Sequence, residues 1–175
     1  MITHPTETMD SVTQSEYGLV FPQDDHNQKL VDNVHPSSWI NPEPRDRYNI
    51  IVIGAGTAGL VTAVIAAGVG AKVALIERHL VGGDCLNVGC VPSKGILRAA
   101  RAWADLRNSG EFGLHIPPGV KYDFGGAMTR MRKLRARISH TDSVHRYTKL
   151  GVDVYIGSAR FTDGDTIQVE GQAGN

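Results

Sequence analysis

Apolar positions along the chain fall into short blocks, and their spacing predicts alternating strands and helices. Runs of Ile and Val predict strands at about 49–53, 72–76 and 152–156. Apolar residues at helical spacing predict helices at about 57–69, from the 85–90 region to 107, and at 124–150. Residues 160–161 and 166–169 predict a hairpin that turns at Asp163-Gly164-Asp165. A strand, a helix and a second strand form a βαβ unit, so the pattern predicts an α/β fold.

Residues 50–71 contain no charged side chain, and this stretch is long enough for a membrane-spanning helix. Five glycines interrupt it, and it divides into an Ile/Val run, a glycine turn and an Ala-rich helix. Buried parallel strands of soluble α/β proteins have the same continuous apolar character. We therefore predict a strand and a helix here rather than a membrane span.

The first 47 residues differ in amino-acid composition from the rest of the chain. They contain five of the eight prolines and only one of the 20 glycines. This composition predicts an irregular N-terminal extension over 1–47, followed by a domain over 48–175. Apolar residues are frequent enough in the extension to leave open whether part of it lies along the body of the domain.

The overall charge is balanced, with 18 Lys and Arg against 18 Asp and Glu. No global field attracts nucleic acid or an anionic membrane, so neither is predicted as a partner. Basic residues on the predicted helix at 124–150 are assigned to its solvated face, opposite Met128, Met131, Leu134 and Ile138. These basic residues are Arg130, Arg132, Lys133, Arg135 and Arg137. The acidic N-terminus lacks the apolar core of a secretory signal, which predicts a cytoplasmic protein.

A glycine motif follows the first predicted strand and begins the first predicted helix. Gly54, Gly56 and Gly59 have the spacing G-x-G-x-x-G, which permits a tight turn, close approach of a pyrophosphate, and close helix–strand packing. Glu77 ends the next strand about twenty residues later, where a carboxylate accepts hydrogen bonds from a ribose. The pattern predicts dinucleotide binding. These residues alone are compatible with either NAD or FAD.

The two cysteines, Cys85 and Cys90, are five residues apart, so the spacing is not that of a zinc ribbon or a C-x-x-C site, and no metal site is predicted. Positions i and i+5 of a regular helix are about 8.7 Å apart, farther than the roughly 4.4–6.8 Å of disulfide-bonded Cα atoms. A bond between them would require a distorted helix start, for which Gly89 offers the freedom. The helix dipole and Lys94 would then stabilise a thiolate. Two buried structural cysteines are the alternative.

The glycine motif, Glu77 and the segment GGDCLNVGCVPSK at 82–94 together resemble the start of the class I pyridine nucleotide-disulfide oxidoreductases. This family includes dihydrolipoamide dehydrogenase, glutathione reductase and mercuric reductase, and the first and last of these are the most similar in the cysteine segment. The resemblance extends from about Tyr48 to the end of the chain. It implies an incomplete, Rossmann-like FAD-binding domain.

The resemblance also implies the cofactor and the roles of the site residues. FAD would occupy the glycine turn, Cys85 would meet substrate, and Cys90 would exchange electrons with the flavin as its redox partner. Lys94 would point at the flavin ring. The residues implied to bind FAD are Gly54, Gly56, Thr57, Ala58, Gly59, Glu77, Arg78, Gly83, Asp84, Cys85, Cys90, Lys94, Ser158 and Ala159. Asp84 stands where many members have Thr.

Members of the family are two to three times longer, which sets the remaining expectations. The full-length enzyme would be a homodimer that takes electrons from NAD(P)H at a site outside this chain, and would pass them to mercuric ion, lipoamide or another disulfide. A truncated FAD-binding module without turnover is the alternative, and an NAD-dependent dehydrogenase with incidental cysteines is a weaker one. An absent neighbouring strand would leave residues 50–53 at an uncovered apolar edge, which predicts an aggregation-prone or partner-dependent product.

Overall fold

The computed structural model describes residues 20–171, which form six helices and four strands in that range. The helices are α1 (Asp25–Val34), α2 (Thr57–Gly68), α3 (Gly83–Asn87), α4 (Cys90–Arg107), α5 (Phe124–Ser139) and α6 (Val144–Lys149). The strands are β1 (Ile50–Ile53), β2 (Val73–Glu77), β3 (Val152–Phe161) and β4 (Ile167–Gly171). The prediction that the N-terminus is not a secretory signal concerns mainly residues 1–19, which lie outside the described residues.

The four strands form one sheet in the order β1-β2-β3-β4. The first three are parallel, with Val52 beside Leu75 and Leu75 beside Val154. This arrangement confirms the predicted α/β fold and its βαβ unit. The carboxyl ends of β1 and β2 and the middle of β3 therefore lie at the same edge of the sheet.

The long strand β3 changes partner halfway along its length. Its first half pairs with β2 as far as Ile156, and its second half, from Gly157, pairs antiparallel with β4. A Cβ atom at Gly157 would lie 2.5 Å from the carbonyl oxygen of Glu170, so the backbones approach closely where the pairing changes. The register of Phe161 with Ile167 confirms the predicted hairpin.

The main core lies on one face of the sheet. Leu75 and Val154 point into it from β2 and β3, and helices α1, α2 and α6 supply the opposing side chains. Leu30 and Val34 of α1 are completely buried there. A smaller cluster on the other face contains Ala74, Ile76 and Tyr155.

The N-terminal extension is more ordered than its composition predicts. Asp24 begins α1 by accepting a hydrogen bond from the backbone N–H of Asn27 at 2.9 Å, as expected of an acidic N-cap residue. Residues 35–49 are irregular, as predicted. Because α1 supplies two fully buried side chains to the core, the described part of the extension is a structural component of the fold.

Residues after α1 cover the free edge of β3. The Trp39 indole N–H donates to the carbonyl of Val154 at 3.3 Å. The Asn41 amide donates to the carbonyl of Ile156 at 3.1 Å and accepts from its N–H at 2.8 Å. A single side chain thus replaces one backbone pair of a neighbouring strand.

The prediction of one helix over 124–150 is wrong, because the chain breaks between α5 and α6. A 3-10 turn at His140–Asp142 ends the first helix. Ser143 is extended, and its hydroxyl accepts from the N–H of Arg146 at 3.3 Å to begin the second. The local N-cap bond of a serine outweighs the apolar spacing that predicts continuity.

The basic residues of α5 are not all solvated, which corrects a second prediction. Lys133 and Arg137 are exposed, but Arg135 is only 9% exposed. Arg132 is largely covered and pairs with Asp24 at 2.5 Å. Helix α1 packs against this face of α5 and supplies polar partners, so each of these two covered guanidinium groups has a hydrogen-bond acceptor on α1 or at its N-cap.

Strand β1 lies at the edge of the sheet, as predicted from the sequence. Its side chains are only partly buried, and Ile53 is 52% exposed. In residues 20–171, no helix is long and apolar enough to cross a membrane. The uncharged stretch at 50–71 forms β1, a turn and α2.

The exposed edge predicts self-association of the 175-residue chain. Ile53→Lys should reduce the associated fraction, because a charged side chain on an edge strand opposes pairing between sheets. Sedimentation velocity over a concentration series measures this. Val69→Lys is the control, since Val69 is 82% exposed but lies beyond α2. An equal effect of both substitutions would contradict an edge-specific contact.

The Asn41 contact predicts a measurable contribution to stability. Asn41→Leu should lower the free energy of unfolding by about 1–3 kcal/mol, because it leaves the N–H and carbonyl of a buried residue unpaired. Urea unfolding measures the change. Asn41→Asp keeps only the acceptor and should also destabilise the fold, whereas Glu43→Gln on the exposed neighbouring surface should have no effect.

Candidate dinucleotide and dithiol site

The glycine turn between β1 and α2 is built by direct backbone contact. Gly54 has φ of +96° and donates its N–H to the carbonyl of Ile76 at 2.8 Å. A Cβ atom at Gly59 would lie 1.9 Å from the carbonyl oxygen of Gly54. Any side chain at Gly59 would therefore separate the helix from the turn, as the motif predicts.

The N-terminus of α2 is arranged to receive an anion. Its N-cap residue is Gly56, which provides no side-chain acceptor for the first N–H groups of the helix. Thr57 and Ala58 follow and are exposed. Unpaired N–H groups and the positive end of the helix dipole are the features that bind phosphate at such turns.

Glu77 connects this turn to the segment after β2. Its carboxylate is buried and accepts from the N–H of Ala55 at 2.7 Å and from the N–H of His79 at 2.8 Å. An ionised carboxylate has about four acceptor positions, so both oxygens retain capacity for a further donor. The prediction that Glu77 lies beside the turn is consistent with this geometry.

A cavity of about 830 Å³ opens at the carboxyl ends of the parallel strands. The predicted site residues that line it are Gly54, Glu77, Arg78, Gly83, Asp84, Ser158 and Ala159. Ligands of open parallel α/β sheets bind at this end of the strands. The other predicted residues are not part of this wall; they are Gly56, Thr57, Ala58, Gly59, Cys85, Cys90 and Lys94.

The cysteine segment begins directly against the glycine turn. Gly83, the first residue of α3, has φ of +55°, and a Cβ atom there would lie 2.7 Å from the Cα atom of Gly56. Cys85 follows two residues later in the same short helix. The glycine turn and the short helix that contains the first cysteine are therefore in direct backbone contact.

A break between two helices separates the cysteines, which is the distortion that a disulfide bond at their spacing would require. Cys85 is half-buried in α3 and Cys90 is the exposed first residue of α4. Gly89 lies between them and donates its N–H to the carbonyl of Asp84 at 2.5 Å. A Cβ atom at Gly89 would lie 2.8 Å from the same oxygen, so the break requires a glycine. Both cysteines are thiols in this structure.

The electrostatics of Cys90 differ from the prediction of a stabilised thiolate. A hydrogen bond with Cys85 raises the pKa of the Cys90 thiol, and desolvation raises it further. Lys94, one turn later on α4, lowers the pKa but does not offset these effects. In the dithiol state, Cys85 therefore has a larger effect than Lys94 on the pKa of Cys90.

The cavity wall also contains residues that no motif identified. Val20, Phe21 and His35 come from the extension, and Asn87 and Arg135 come from α3 and α5. The side chain of His35 hydrogen-bonds the carbonyl of His79. In the described part of the chain, Asn87 Oδ1 and Arg135 Nε are buried atoms without a hydrogen-bond partner.

One sequence signal could have identified Arg135. It lies four residues after Met131 and four before Ser139, and all three are buried. Residues at this spacing share one face of a helix. The buried stripe therefore passes through Arg135 rather than through Leu134 and Ile138, because α1 covers that face.

The fold and the site together define an α/β domain of the dinucleotide-binding class with a cysteine pair beside its glycine turn. A family model described as pyridine nucleotide-disulphide oxidoreductase matches residues 48–173. The chain belongs to this family, whose members use FAD and NAD(P)H. The expected resemblance is thereby confirmed.

Individual relatives agree with this assignment. The chain is 35% identical over 126 residues to a dihydrolipoyl dehydrogenase of Acholeplasma laidlawii, and 35% identical over 126 residues to a mercuric reductase of Lysinibacillus sphaericus. Each match covers 72% of this chain, but 37% of the first relative and 23% of the second. The chain thus spans about a quarter to a third of these curated relatives.

A solved structure also matches. It is the Cu(II) complex of the HOCl-induced flavoprotein disulfide reductase RclA from Escherichia coli, with a TM-score of 0.54 and 28% sequence identity. The match covers 68% of this chain and 24% of that one. This similarity confirms a partial, Rossmann-like FAD-binding domain as the fold class.

The hydrogen bond between the cysteines predicts a titration experiment. Cys85→Ala should lower the pKa of Cys90, because it removes the contact that raises it. The pH dependence of ultraviolet thiolate absorbance measures the single remaining thiol. Adding Lys94→Gln to this variant should raise the pKa again, since a favourable positive charge is lost. A pKa that rises in Cys85→Ala would contradict the assignment.

Proposed function

We propose that this chain is the FAD-binding and dithiol portion of an NAD(P)H-dependent disulfide reductase. The observation that carries the proposal is the contact between Gly56 and Gly83. It brings the turn suited to a pyrophosphate against the helix that contains Cys85. A dinucleotide bound at the turn would therefore extend beside the cysteine pair.

The residues present fit FAD. The uncapped start of α2 would hold the pyrophosphate, and Glu77 would accept from the adenosine ribose at the wall of the cavity. Ser158 and Ala159 would bound the adenine end. When bound, FAD supplies the two-electron chemistry that connects a nicotinamide to a disulfide.

The cysteines would supply the thiol chemistry. Cys85 and Cys90 would form a disulfide that is reduced to two thiols and oxidised again by substrate. By family pattern, Cys90 is assigned to the flavin side and Cys85 to the substrate side. Lys94 would keep a positive charge near the thiol that lies toward the flavin. The cytoplasm, as a reducing compartment, would suit a pair that alternates between the two states.

The substrate would be mercuric ion, lipoamide or another disulfide, since the curated relatives include enzymes for more than one of these. NAD(P)H would bind elsewhere in the full-length enzyme, which we expect to be a homodimer. A second candidate is an FAD-binding module without turnover of its own.

Binding of FAD by the purified chain tests the cofactor assignment. Glu77→Gln should weaken FAD binding roughly tenfold, because it removes the charge that attracts the ribose hydroxyls; tenfold corresponds to about 1.4 kcal/mol. Equilibrium dialysis measures the affinity, with Glu43→Gln as the control. If the unmodified chain retains no FAD, the cofactor assignment fails for this chain.

The visible spectrum tests the roles of the cysteines. Two-electron reduction of the FAD complex should produce a long-wavelength charge-transfer band, which Cys90→Ser should abolish and Cys85→Ser should preserve. Loss of the band in Cys85→Ser alone would reverse the assignment. If the reduced FAD complex shows the band but passes no electrons to a disulfide, the module without turnover is favoured.

A further inference from the structure

Arg135 is a buried cation that joins two distant parts of the chain. It lies on α5 and is 9% exposed. Its Nη1 donates to the carbonyl of Asn87 at 2.6 Å, and its Nη2 donates to Oδ1 of Asn27 at 2.6 Å. Asn27 belongs to α1 and lies outside residues 48–173, the range matched by the family. The guanidinium of Arg135 therefore connects the extension to the cysteine segment.

Asn87 lies between the two cysteines in the chain, where α3 ends. It is the last residue of α3, two residues after Cys85 and three before Cys90. Its side-chain amide donates to the carbonyls of Val81 and Gly83 at 3.2 and 2.9 Å. The side chain holds the start of the segment while Arg135 holds its backbone carbonyl.

A second contact ties the extension to the same segment. The N–H of Val81 donates to the carbonyl of Val34, the last residue of α1, at 3.2 Å. Val34 and Val81 are also packed in the same core. Both ends of the α3 segment are thus fixed by hydrogen bonds that lead back to α1.

We infer that the extension positions the cysteine pair, with Asn27 and Arg135 as positioning residues that act through Asn87. The hydrogen-bonded series Asn27–Arg135–Asn87 fixes the break between α3 and α4, so that the two thiols remain adjacent. This inference rests on the proposed disulfide chemistry and adds a part of the chain that the family match does not include.

Adjacency has a definite consequence for the redox equilibrium. Oxidised glutathione converts the two thiols to an Sγ–Sγ bond and is itself reduced to two glutathione thiols, so electrons and protons balance. The equilibrium depends on the effective concentration of one cysteine thiol at the other. A loosened break lowers that concentration and makes the intramolecular disulfide less stable.

The test uses the 175-residue chain without FAD, equilibrated in buffers of graded glutathione redox ratio. Acid quenching, alkylation and mass spectrometry measure the fraction with an intramolecular disulfide. Arg135→Lys keeps the positive charge but lacks the forked donors that reach both acceptors. Its equilibrium constant for disulfide formation should fall about tenfold, which is about 30 mV for two electrons. Asn27→Ala should act in the same direction from the extension side.

Arg132→Gln is the matched control. It breaks the ion pair with Asp24 between the same two helices but does not touch the cysteine segment. Its equilibrium constant should equal that of the unmodified chain. An equal loss in Arg132→Gln, or unchanged constants in Arg135→Lys and Asn27→Ala, would overturn the inference.

Folding is checked by near-ultraviolet circular dichroism. If Arg135→Lys loses this signal, Asn27→Ala alone decides, and loss of the signal in both variants would show a general structural role and overturn the inference. A failure of the proposed function is distinguishable from these results, because the unmodified chain would then form no intramolecular disulfide at any glutathione ratio.

Discussion

Contact between bare backbone atoms at glycines is the constraint on which the rest of the site depends. The start of α2 can approach β1 only because Gly59 has no side chain that would clash with the carbonyl of Gly54. The same principle operates between Gly56 and Gly83, where one glycine turn packs against the next helix. Without these approaches, α2 would not begin against β1, and the cysteine segment would not begin beside the glycine turn. The geometry of the site is therefore set by the main chain.

Polar side chains stabilise the rest of the site. They form hydrogen bonds to backbone and side-chain groups that the strand pairing of the sheet leaves without partners. Glu77 holds the turn and the exit of β2 by two backbone N–H groups. Asn41 takes the place of a neighbouring strand at β3. Arg135 holds α1 and the end of α3. In each case a single planar group satisfies two backbone or side-chain partners, which is how buried polar atoms are accommodated in a compact fold.

The sequence predicts those features that depend on local chemistry. The βαβ unit, the glycine turn and the helix break at Gly89 follow from residue types at fixed spacing. Elements that depend on contacts between distant parts of the chain are harder to predict from the sequence. Helix α1 is stabilised by burial of Leu30 and Val34 in a core formed by strands far along the chain. Its own sequence, DHNQKLVDNV, is mostly polar. The sequence assigns Arg135 to a solvated basic face, because its acceptors Asn27 and Asn87 are 108 and 48 residues away in the chain.

The backbone contact at Gly56 and Gly83 also limits how such a domain can vary. A separation fixed by main-chain atoms has no side chain whose size could be changed to lengthen or shorten it. Substitution can therefore alter the behaviour of the thiols only from outside the contact, through groups such as Lys94, Arg135 and the extension. Variants of this scaffold that differ in redox behaviour should therefore differ in the residues around the contact.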